Sequence, residues 1–372
     1  MARSIQSHSN PTEPEVSQAG CGKFVVLVGV LPPTIGGIAV HVERLARLLY
    51  RADYQVVVHD IYTERGAEPE YPFEVVRGRG ALAVCSFTRL LLFKRPTIIH
   101  WHFAGGLTFW ATYPVFAFTA LFCKQIVTFH TGKFKGEMGR YATIKHKLCR
   151  LAFGRISYVI FVNRTVEAAL LQSFPFLAMR SSVIMPFIAP AIELPQQPAR
   201  NRGAKMRIGA SGYSIALYEW LTLITACEMA MDCIDSVYLN LYHTYDTEYM
   251  AEILSRVAKS LVVFHINRDL MPSEFAAVLA QTDVFVRPTL MDGDSLALRE
   301  AMQLGIACVA SDVTERPTGC HVFPVGNAEA LAEIIREISW GKRSGIRLNE
   351  DGSRALLNLY EEMAIVQHVG AT

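Results

Sequence analysis

The residues best suited to do chemistry lie between Val284 and Asp312, in the run VFVRPTLMDGDSLALREAMQLGIACVASD. Asp292 and Glu300 stand there with seven residues between them, the first in an acidic glycine loop and the second on the helix predicted after it. The backbone N–H groups of such a loop and of a helix N-terminus bind anionic phosphate. This run therefore predicts a site for a phosphorylated ligand.

Two arginines bracket this loop. Arg287 precedes it and Arg299 lies on the helix that follows, and a guanidinium group can bind a diphosphate through paired hydrogen bonds. Asp294 and Ser295 are natural N-caps for that helix, which is predicted to begin near Ser295. A helix cap followed by a solvated Glu300 is the plainer interpretation of the same residues.

A second unusual segment runs from Lys124 to Arg155, where eight Lys and Arg residues accompany one acidic residue, Glu137. It follows directly on the uncharged run Leu107–Cys123, LTFWATYPVFAFTALFC. Basic residues beside apolar surface are typical of a face that binds anionic membranes, and a solvated basic helix is the alternative. The predicted acceptor or membrane face comprises His102, Lys133, Lys135, Arg140, Lys145 and Lys147.

The uncharged run is 17 residues long, whereas a membrane-spanning helix needs roughly 20. Pro114 interrupts it, and the apolar strand QIVTFH begins at Gln125. A buried helix of an α/β domain is therefore favoured, with an interfacial membrane contact as the alternative.

Composition limits the class of protein. A chain of 372 residues, 51% hydrophobic and 19% charged, is long enough for about two domains. This composition excludes a disordered, collagen-like or disulfide-stapled chain.

Charge is unevenly distributed along the chain. Residues 1–195 are basic, with 21 Lys and Arg against 12 Asp and Glu, and residues 196–372 are acidic, with 15 against 22. The eight cysteines show no metal-binding spacing, which favours reduced thiols in a cytosolic protein. The polar start, residues 1–22, is predicted to be a disordered leader.

Short apolar runs alternate with helical periodicity along the chain, which predicts parallel sheets covered by helices. Strands are predicted at 23–30, 54–60, 96–102, 124–130, 156–163, 206–212, 236–243, 261–267, 283–289 and 306–312. Helices are predicted at 38–50, 219–231, 247–260, 272–282, 295–305, 327–340 and 353–367. The fold class is therefore α/β, with two tandem doubly wound Rossmann-like domains that face a cleft.

A segment without periodicity, APAIELPQQPARNRGAK at residues 189–205, predicts the linker between the domains. The first domain is placed at 23–188 and the second at 206–346. A final segment, 347–372, contains the last predicted helix.

The run from Val284 to Asp312 resembles the signature of family 4 retaining glycosyltransferases of the GT-B fold. In that family an acidic residue, seven others and a Glu precede A-M/L-x-x-G-x-P-V-V-A-S. The matching residues here are Asp292, Gly293, Glu300, Ala301, Met302, Gly305, Val309, Ala310 and Ser311. The DGDS…REA form, with RPT before it and Arg316-Pro317 after it, is similar to a branch found in bacterial surface-polysaccharide biosynthesis. The resemblance spans about residues 23–368.

This resemblance implies roles for individual residues. Glu300 would bind the ribose hydroxyls of a nucleotide-sugar donor, Asp292 would lie near the donor sugar, and His130, in VTFHTGK, would face the reacting carbon. Glycines after the first strand would let the backbone approach the donor closely. The implied donor contacts are Gly36, Gly37, Arg287, Gly293, Asp294, Ser295, Leu296, Arg299 and Arg316.

Two further histidines end another predicted strand. His100 and His102 are expected to point to opposite faces or to be offset by the pleat, with one of them in the core. The last helix, SRALLNLYEEMAIVQ, resembles the family's helix that returns to the first domain.

The resemblance further implies sugar transfer with retention from a UDP- or GDP-sugar to a glycan or polyprenyl-pyrophosphate-linked acceptor. Neither metal nor cofactor is expected, because protein cations and helix ends would offset the leaving diphosphate. An anionic membrane surface is a further expected partner and nucleic acid is not. The expected location is the cytoplasm or the cytoplasmic face of the membrane.

One departure from the family pattern concerns the diphosphate. Many members carry an Arg and a Lys-Gly after the first strand of the second domain, whereas this chain reads GASGYSIALYEW there. Two alternatives stay open: a GT-B sugar-nucleotide epimerase, and a non-catalytic nucleotide-sugar-binding protein. A Rossmann oxidoreductase is disfavoured, because no Gly-x-Gly-x-x-Gly follows the first strand.

Overall fold

The computed structural model describes residues 23–32, 34, 36–61, 70–78, 81–103, 115–116, 118–130, 150–186, 205–243, 246–340 and 352–365. The predicted leader at 1–22 and all but the last residue of the predicted linker at 189–205 lie outside these residues. So does most of the uncharged run that was predicted to form a buried helix. Each domain holds one sheet.

The first sheet has seven parallel strands in the order β3-β2-β1-β4-β5-β6-β7. The strands are β1 (Phe24–Gly29), β2 (Gln55–Asp60), β3 (Glu74–Arg77), β4 (Ile98–Phe103), β5 (Lys124–Phe129), β6 (Tyr158–Phe161) and β7 (Ser181–Val183). The helices with it are α1 (Gly37–Arg51), α2 (Ala81–Lys94) and α3 (Arg164–Ser173), and a 3₁₀ turn spans Pro175–Arg180.

The second sheet has six parallel strands in the order β10-β9-β8-β11-β12-β13. The strands are β8 (Met206–Tyr213), β9 (Ile234–Tyr242), β10 (Phe264–Arg268), β11 (Val284–Arg287), β12 (Ala307–Ser311) and β13 (His321–Phe323). The helices are α4 (Trp220–Met229), α5 (Thr247–Lys259), α6 (Pro272–Leu279), α7 (Leu296–Gln303) and α8 (Ala328–Trp340).

The central strands of these sheets are buried because helices cover both faces. In β1, Val26 and Val28 pack into the core on one face, while Val25 and Leu27 pack into the core on the other. β4 is buried over its whole length, including His100 and His102. The alternation of helices with parallel strands in two sheets confirms the predicted class of two doubly wound Rossmann-like domains.

The last helix, α9 (Gly352–Ile365), packs on the first domain. Leu356, Leu359 and Tyr360 are buried in the core that contains β1 and β2. Lys124 Nζ donates to the carbonyl oxygen of Met363, at 2.5 Å. The end of the described chain is thus part of the first domain's core.

Strand order reverses beside β1 in the first sheet and beside β8 in the second. In doubly wound sheets, ligands bind outside the carboxyl ends of the strands at this point. The loops that follow β1 and β8 face each other, and the cleft between the domains opens there. None of the helices in the described parts of the chain has both the length and the apolar character of a membrane-spanning segment.

Candidate functional site

A cavity of about 500 Å³ lies in this cleft and has walls from both domains. The first domain contributes the start of α1, from Gly36 to His41, and His130 after β5. The second contributes the loop Ser211–Tyr218 and the segment from Asp292 to Ala297, with Glu300. The cavity therefore collects both segments that the sequence singles out.

Asp292 is held between two arginines. Arg287 donates to its carboxylate from Nε at 3.0 Å and Nη2 at 3.1 Å, and Arg316 donates from Nη1 at 2.9 Å. Burial alone would raise the pKa of Asp292, but Arg287 and then Arg316 lower it to about 2. The two guanidinium groups thus share one negative charge and retain a net positive charge beside the cavity.

The next acidic residue, Asp294, is paired with Arg299. Arg299 Nε donates to Asp294 Oδ1 at 2.7 Å, and both side chains are buried. Burial raises the pKa of Asp294, and Arg299 offsets part of that effect. Arg287 lines the cavity, whereas Arg299 and Arg316 do not. Because their guanidinium groups are turned to Asp294 and Asp292, these two arginines support the loop from behind.

Helix α7 begins as the sequence predicts. Ser295 is its N-cap, and the Ser295 hydroxyl accepts a hydrogen bond from Leu298 N at 3.3 Å. The amides of the loop and of the first turn lie along the cavity, where Gly293, Asp294, Ser295 and Leu296 line it. The partly positive helix N-terminus therefore faces the space where an anion would bind.

Glu300, on α7, lines the cavity and forms an ion pair with Arg44, on α1. This pair crosses the cleft and joins the two domains. The Glu300 side chain is 17% exposed and that of Arg44 is 10% exposed. The sequence singled out Glu300 but not its partner.

Of the two glycines after β1, Gly36 lies against the second domain and Gly37 does not. A Cβ on Gly36 would lie 2.3 Å from the hydroxyl of Tyr213, at the end of β8, whereas a Cβ on Gly37 would meet nothing within 4 Å. Gly36 has φ 174°, which any residue can adopt, so a larger residue there would have to displace the Tyr213 side chain rather than strain the backbone. Gly37 begins α1, whose N-terminus opens onto the cavity.

Three histidines cluster on the first domain's side of the cavity. His102 Nδ1 and His130 Nε2 are 3.0 Å apart, and the rings of His41 and His130 meet at 4.9 Å between centroids. Burial, and then the charge of Arg44, lower the pKa of His41 to about 4. Burial also lowers the pKa of His102 and His130 well below the ordinary value. The cluster is therefore neutral at pH 7.

Neutral imidazoles are metal ligands as well as hydrogen-bonding groups. Each of His41, His102 and His130 offers one nitrogen, and these nitrogens lie within 4.8 Å of one another. Among the described residues, this is the one group that could hold a metal ion through His, Cys, Asp or Glu ligands.

His100 and His102 share a face of β4, so the predicted alternative of opposite faces is wrong, while the expectation that one of them lies in the core holds for His100. Residues two apart in a strand share a face, and the two rings lie 4.2 Å apart. His100 is in the core, where Nδ1 is 2.5 Å from the Tyr360 hydroxyl and Nε2 is 2.7 Å from the Thr128 hydroxyl. His102 connects His100 to His130.

Residues missed in the sequence also hold the site together. Asn163, after β6, donates from Nδ2 to the Gly293 carbonyl oxygen at 2.6 Å. His41 and Arg44 follow Gly37 by four and seven residues, so all three share one face of α1. That spacing was the available signal in the sequence, whereas nothing local to Asn163 indicated a partner 130 residues away.

The predicted acceptor or membrane face is described only in part. His102 lies in the histidine cluster, while Lys133, Lys135, Arg140, Lys145 and Lys147 lie outside the described residues. Just before them, Phe118, Leu121 and Phe122 are exposed, and the rings of Phe118 and Phe122 contact each other.

Comparison with protein families gives two matches, one in each domain. Residues 35–191 match the model of Glycosyltransferase Family 4. Residues 242–339 match the model of Glycosyl transferases group 1. No curated protein sequence gives a significant match to this chain.

Solved structures show the same fold across almost the whole chain. HepE of Anabaena, crystallised with UDP and glucose, has a TM-score of 0.66 at 14% identity and covers 94% of this chain and 100% of its own. Sucrose-phosphate synthase of Thermosynechococcus elongatus has a TM-score of 0.66 at 17% identity, with coverages of 93% and 97%. WaaG, a glycosyltransferase involved in lipopolysaccharide biosynthesis, has a TM-score of 0.61 at 13% identity, with coverages of 91% and 94%. These likenesses establish the GT-B fold.

Proposed function

We propose that this chain, a glycosyltransferase with a Family 4 domain followed by a group 1 domain on the GT-B fold, transfers a sugar from a nucleotide-sugar donor to a glycan or lipid-linked acceptor. The observation that carries the proposal is the interdomain cavity. It brings Glu300, the N-terminus of α7 and the N-terminus of α1 around one space of about 500 Å³. A sugar nucleotide combines hydroxyl groups with a diphosphate. The Glu300 carboxylate can accept hydrogen bonds from the hydroxyl groups, and the two helix N-termini can bind the diphosphate.

The groups that line the cavity suggest how the donor binds. Glu300 accepts hydrogen bonds from the ribose hydroxyls, and the amides of Gly293 to Leu296 hold the sugar or its phosphates. Arg287, whose guanidinium lies 4.8 Å from the centre of the Tyr218 ring, supplies positive charge on the same side. A UDP- or GDP-sugar is the proposed donor, and the binding of UDP by the similarly folded HepE supports UDP.

Transfer is proposed to retain the anomeric configuration and to need neither metal nor cofactor. The acceptor hydroxyl oxygen bonds to the anomeric carbon on the face that the diphosphate leaves. As the bond between carbon and phosphate oxygen breaks, the leaving phosphate takes the acceptor's proton. Helix N-termini and arginines stabilise the charge that develops on the diphosphate. We propose that neutral His130, which lines the cavity, hydrogen-bonds the sugar and that Asp292 orients the arginines beside it.

We also propose that the protein acts in surface-polysaccharide biosynthesis and that its acceptor is carried on a lipid. Exposed Phe118, Leu121 and Phe122 immediately precede the basic run that begins at Lys124. Apolar side chains beside cations suit the surface of an anionic membrane. The protein would then act at the cytoplasmic face. Pelleting of the full chain with anionic vesicles at low salt, lost at high salt, is expected, and salt-insensitive or absent pelleting would refute this part.

Donor turnover tests the reaction itself. The protein is incubated with UDP-, GDP- and ADP-sugars and a lipid-linked or glycan acceptor, and release of the nucleoside diphosphate is measured. One donor should be consumed by the wild type and not by Glu300→Ala, which should keep the wild-type fold by circular dichroism. Full activity in Glu300→Ala would overturn the proposal.

The family matches do not favour the two alternatives, and the same assay separates them. A sugar-nucleotide epimerase would interconvert donor sugars without an acceptor. A non-catalytic protein would bind a donor without ever releasing its nucleotide.

A further inference from the structure

Arg44 lies in the cleft with only part of its guanidinium group paired. Arg44 forms an ion pair with Glu300 through Nη2, and its side chain is only 10% exposed. Its other terminal nitrogen, Nη1, is buried and has no hydrogen-bond partner among the described residues. A buried guanidinium nitrogen without an acceptor is costly, so this geometry indicates an acceptor that joins when a ligand binds.

The charges of the second domain make such a cation necessary. Arg287, Arg316 and Arg299 balance Asp292, Asp294 and Glu300, three positive charges against three negative ones. The loop after β8, where the family pattern would supply two more cations, has none between Ser211 and Tyr218. Summed over these six side chains the charge is zero, and the local surplus of Arg287 and Arg316 over Asp292 is less than a diphosphate carries, so Arg44 would add the missing positive charge.

Helix α1 places Arg44 close to the right point. Gly37, His41 and Arg44 share one face of the helix, and long helical side chains lean toward the helix N-terminus. That N-terminus opens onto the cavity and has no side-chain cap, and its first turn contains no acidic residue. Arg44 does not itself line the cavity, but its guanidinium contacts Glu300, which does.

We propose that Arg44 is the diphosphate-binding cation of this enzyme, and that donor binding moves its guanidinium from Glu300 to the phosphates. The inference rests on the proposed function, because it needs a nucleotide donor whose ribose occupies Glu300. The ribose hydroxyls then donate hydrogen bonds to the Glu300 carboxylate, and Arg44 pairs with the diphosphate of the same donor. The first domain thereby supplies the charge that the second domain lacks, and donor binding couples the two domains.

The test compares ligands with and without the diphosphate. UDP, GDP and ADP and the corresponding nucleosides are titrated into the wild type, Arg44→Gln and Arg47→Gln. Arg47 lies three residues further along α1 and pairs with Glu43 on the same helix, 2.9 Å away, so it is the matched control. Arg44→Gln should lower affinity for the bound diphosphate about 10- to 100-fold, the effect of losing a hydrogen bond to a charged group, and leave nucleoside affinity unchanged or higher. Arg47→Gln should resemble the wild type in both.

The outcomes separate the inference from the proposed function. If the wild type binds none of the three diphosphates, both fail. If it binds one and Arg44→Gln binds it equally well, only the inference fails. If diphosphate and nucleoside affinities fall by the same factor, Arg44 merely holds the domains together and the inference is again wrong.

Two further variants keep the test decisive if Arg44→Gln does not fold. Arg44→Lys retains a charge and should recover most of the diphosphate affinity. Glu300→Gln should weaken nucleoside binding while preserving the ratio of diphosphate to nucleoside affinity, because Arg44 is still present. Loss of that ratio in Glu300→Gln, or no recovery in Arg44→Lys, would contradict the proposal.

Discussion

Asn163 of the first domain donates a hydrogen bond from Nδ2 to the main-chain oxygen of Gly293 in the second, at 2.6 Å. Gly293 belongs to the acidic loop that lines the cavity, and a Cβ on it would lie 2.5 Å from the carbonyl oxygen of His130. The loop therefore packs against backbone of the opposite domain. Its position depends on residues from both domains.

Replacement of Asn163 should separate this contact from its local role. Asn163 is also the N-cap of α3, where Oδ1 accepts a hydrogen bond from Val166 N at 2.8 Å. Asn163 Nδ2 also donates to the Thr314 hydroxyl, at 3.3 Å. Asn163→Ala loses the cap and both Nδ2 bonds, while Asn163→Ser keeps a helix cap and loses only the Nδ2 bonds to Gly293 and Thr314. Both should weaken donor binding by about tenfold, the worth of a buried hydrogen bond. Asn163→Ala should lower the melting temperature further than Asn163→Ser. Unchanged donor affinity in both variants would show that the contact does not position the loop.

Adding a methyl group at Gly36 should push the domains apart. The new Cβ would overlap the Tyr213 hydroxyl, so Gly36→Ala should reduce donor affinity and increase the radius of gyration measured by X-ray scattering. Gly37→Ala has open space around its Cβ and is the control for scattering and melting temperature. Tyr213→Phe removes the overlapping oxygen and should partly restore Gly36→Ala. Equal effects at both glycines would contradict the account.

Acid should destabilise the protein through its buried histidines. Burial lowers the pKa of His41 to about 4 and lowers the pKa of His100, His102 and His130. Below pH 6.5 the unfolded chain takes up protons that the folded chain excludes, so stability falls as the pH falls toward 4. The cost is at most about 1.4 kcal/mol per pH unit for each such histidine.

Urea unfolding at a series of pH values measures this slope. His41→Asn should flatten the slope between pH 6.5 and 4, whereas His321→Asn, at an exposed position, should not. A free energy of unfolding that stays constant over this range would mean that the histidines are not buried as neutral groups.

Chelation should leave transfer unchanged if the reaction needs no metal, as proposed. The enzyme is dialysed against EDTA, its metal content is measured by mass spectrometry, and donor turnover is assayed. Activity lost on dialysis and restored by Zn²⁺ would instead place a functional metal at His41, His102 and His130, the cluster whose nitrogens lie within 4.8 Å of one another.

The sequence predicts long buried strands well and short edge strands poorly. β1, β4 and β8 are buried over most of their length, and their predicted bounds differ from the observed ones by at most two residues. β3, β7 and β13 went unpredicted, because each has only three or four residues and is partly exposed at a sheet edge. Short, half-exposed strands owe their conformation to the neighbouring strand rather than to their own pattern.

The site was predicted only as far as local motifs extend. Asp292, Glu300 and Gly36 occur in recognisable patterns, and all three line the same cavity. The sequence could not predict the ion-pair partners of the arginines. Arg316 pairs with Asp292, and Arg44 pairs with Glu300, only because tertiary packing brings these residues together. These ion pairs determine which arginine side chains can bind a ligand.

Binding of a nucleoside diphosphate to the wild type and to Glu300→Ala, measured by calorimetry, is the most direct test of the central claim. The account predicts that UDP, GDP or ADP binds the wild type with one molecule per chain, and that Glu300→Ala abolishes or severely weakens this binding. Binding of equal affinity in both proteins, or no binding of any diphosphate to the wild type, would contradict the assignment of the cavity as a donor site.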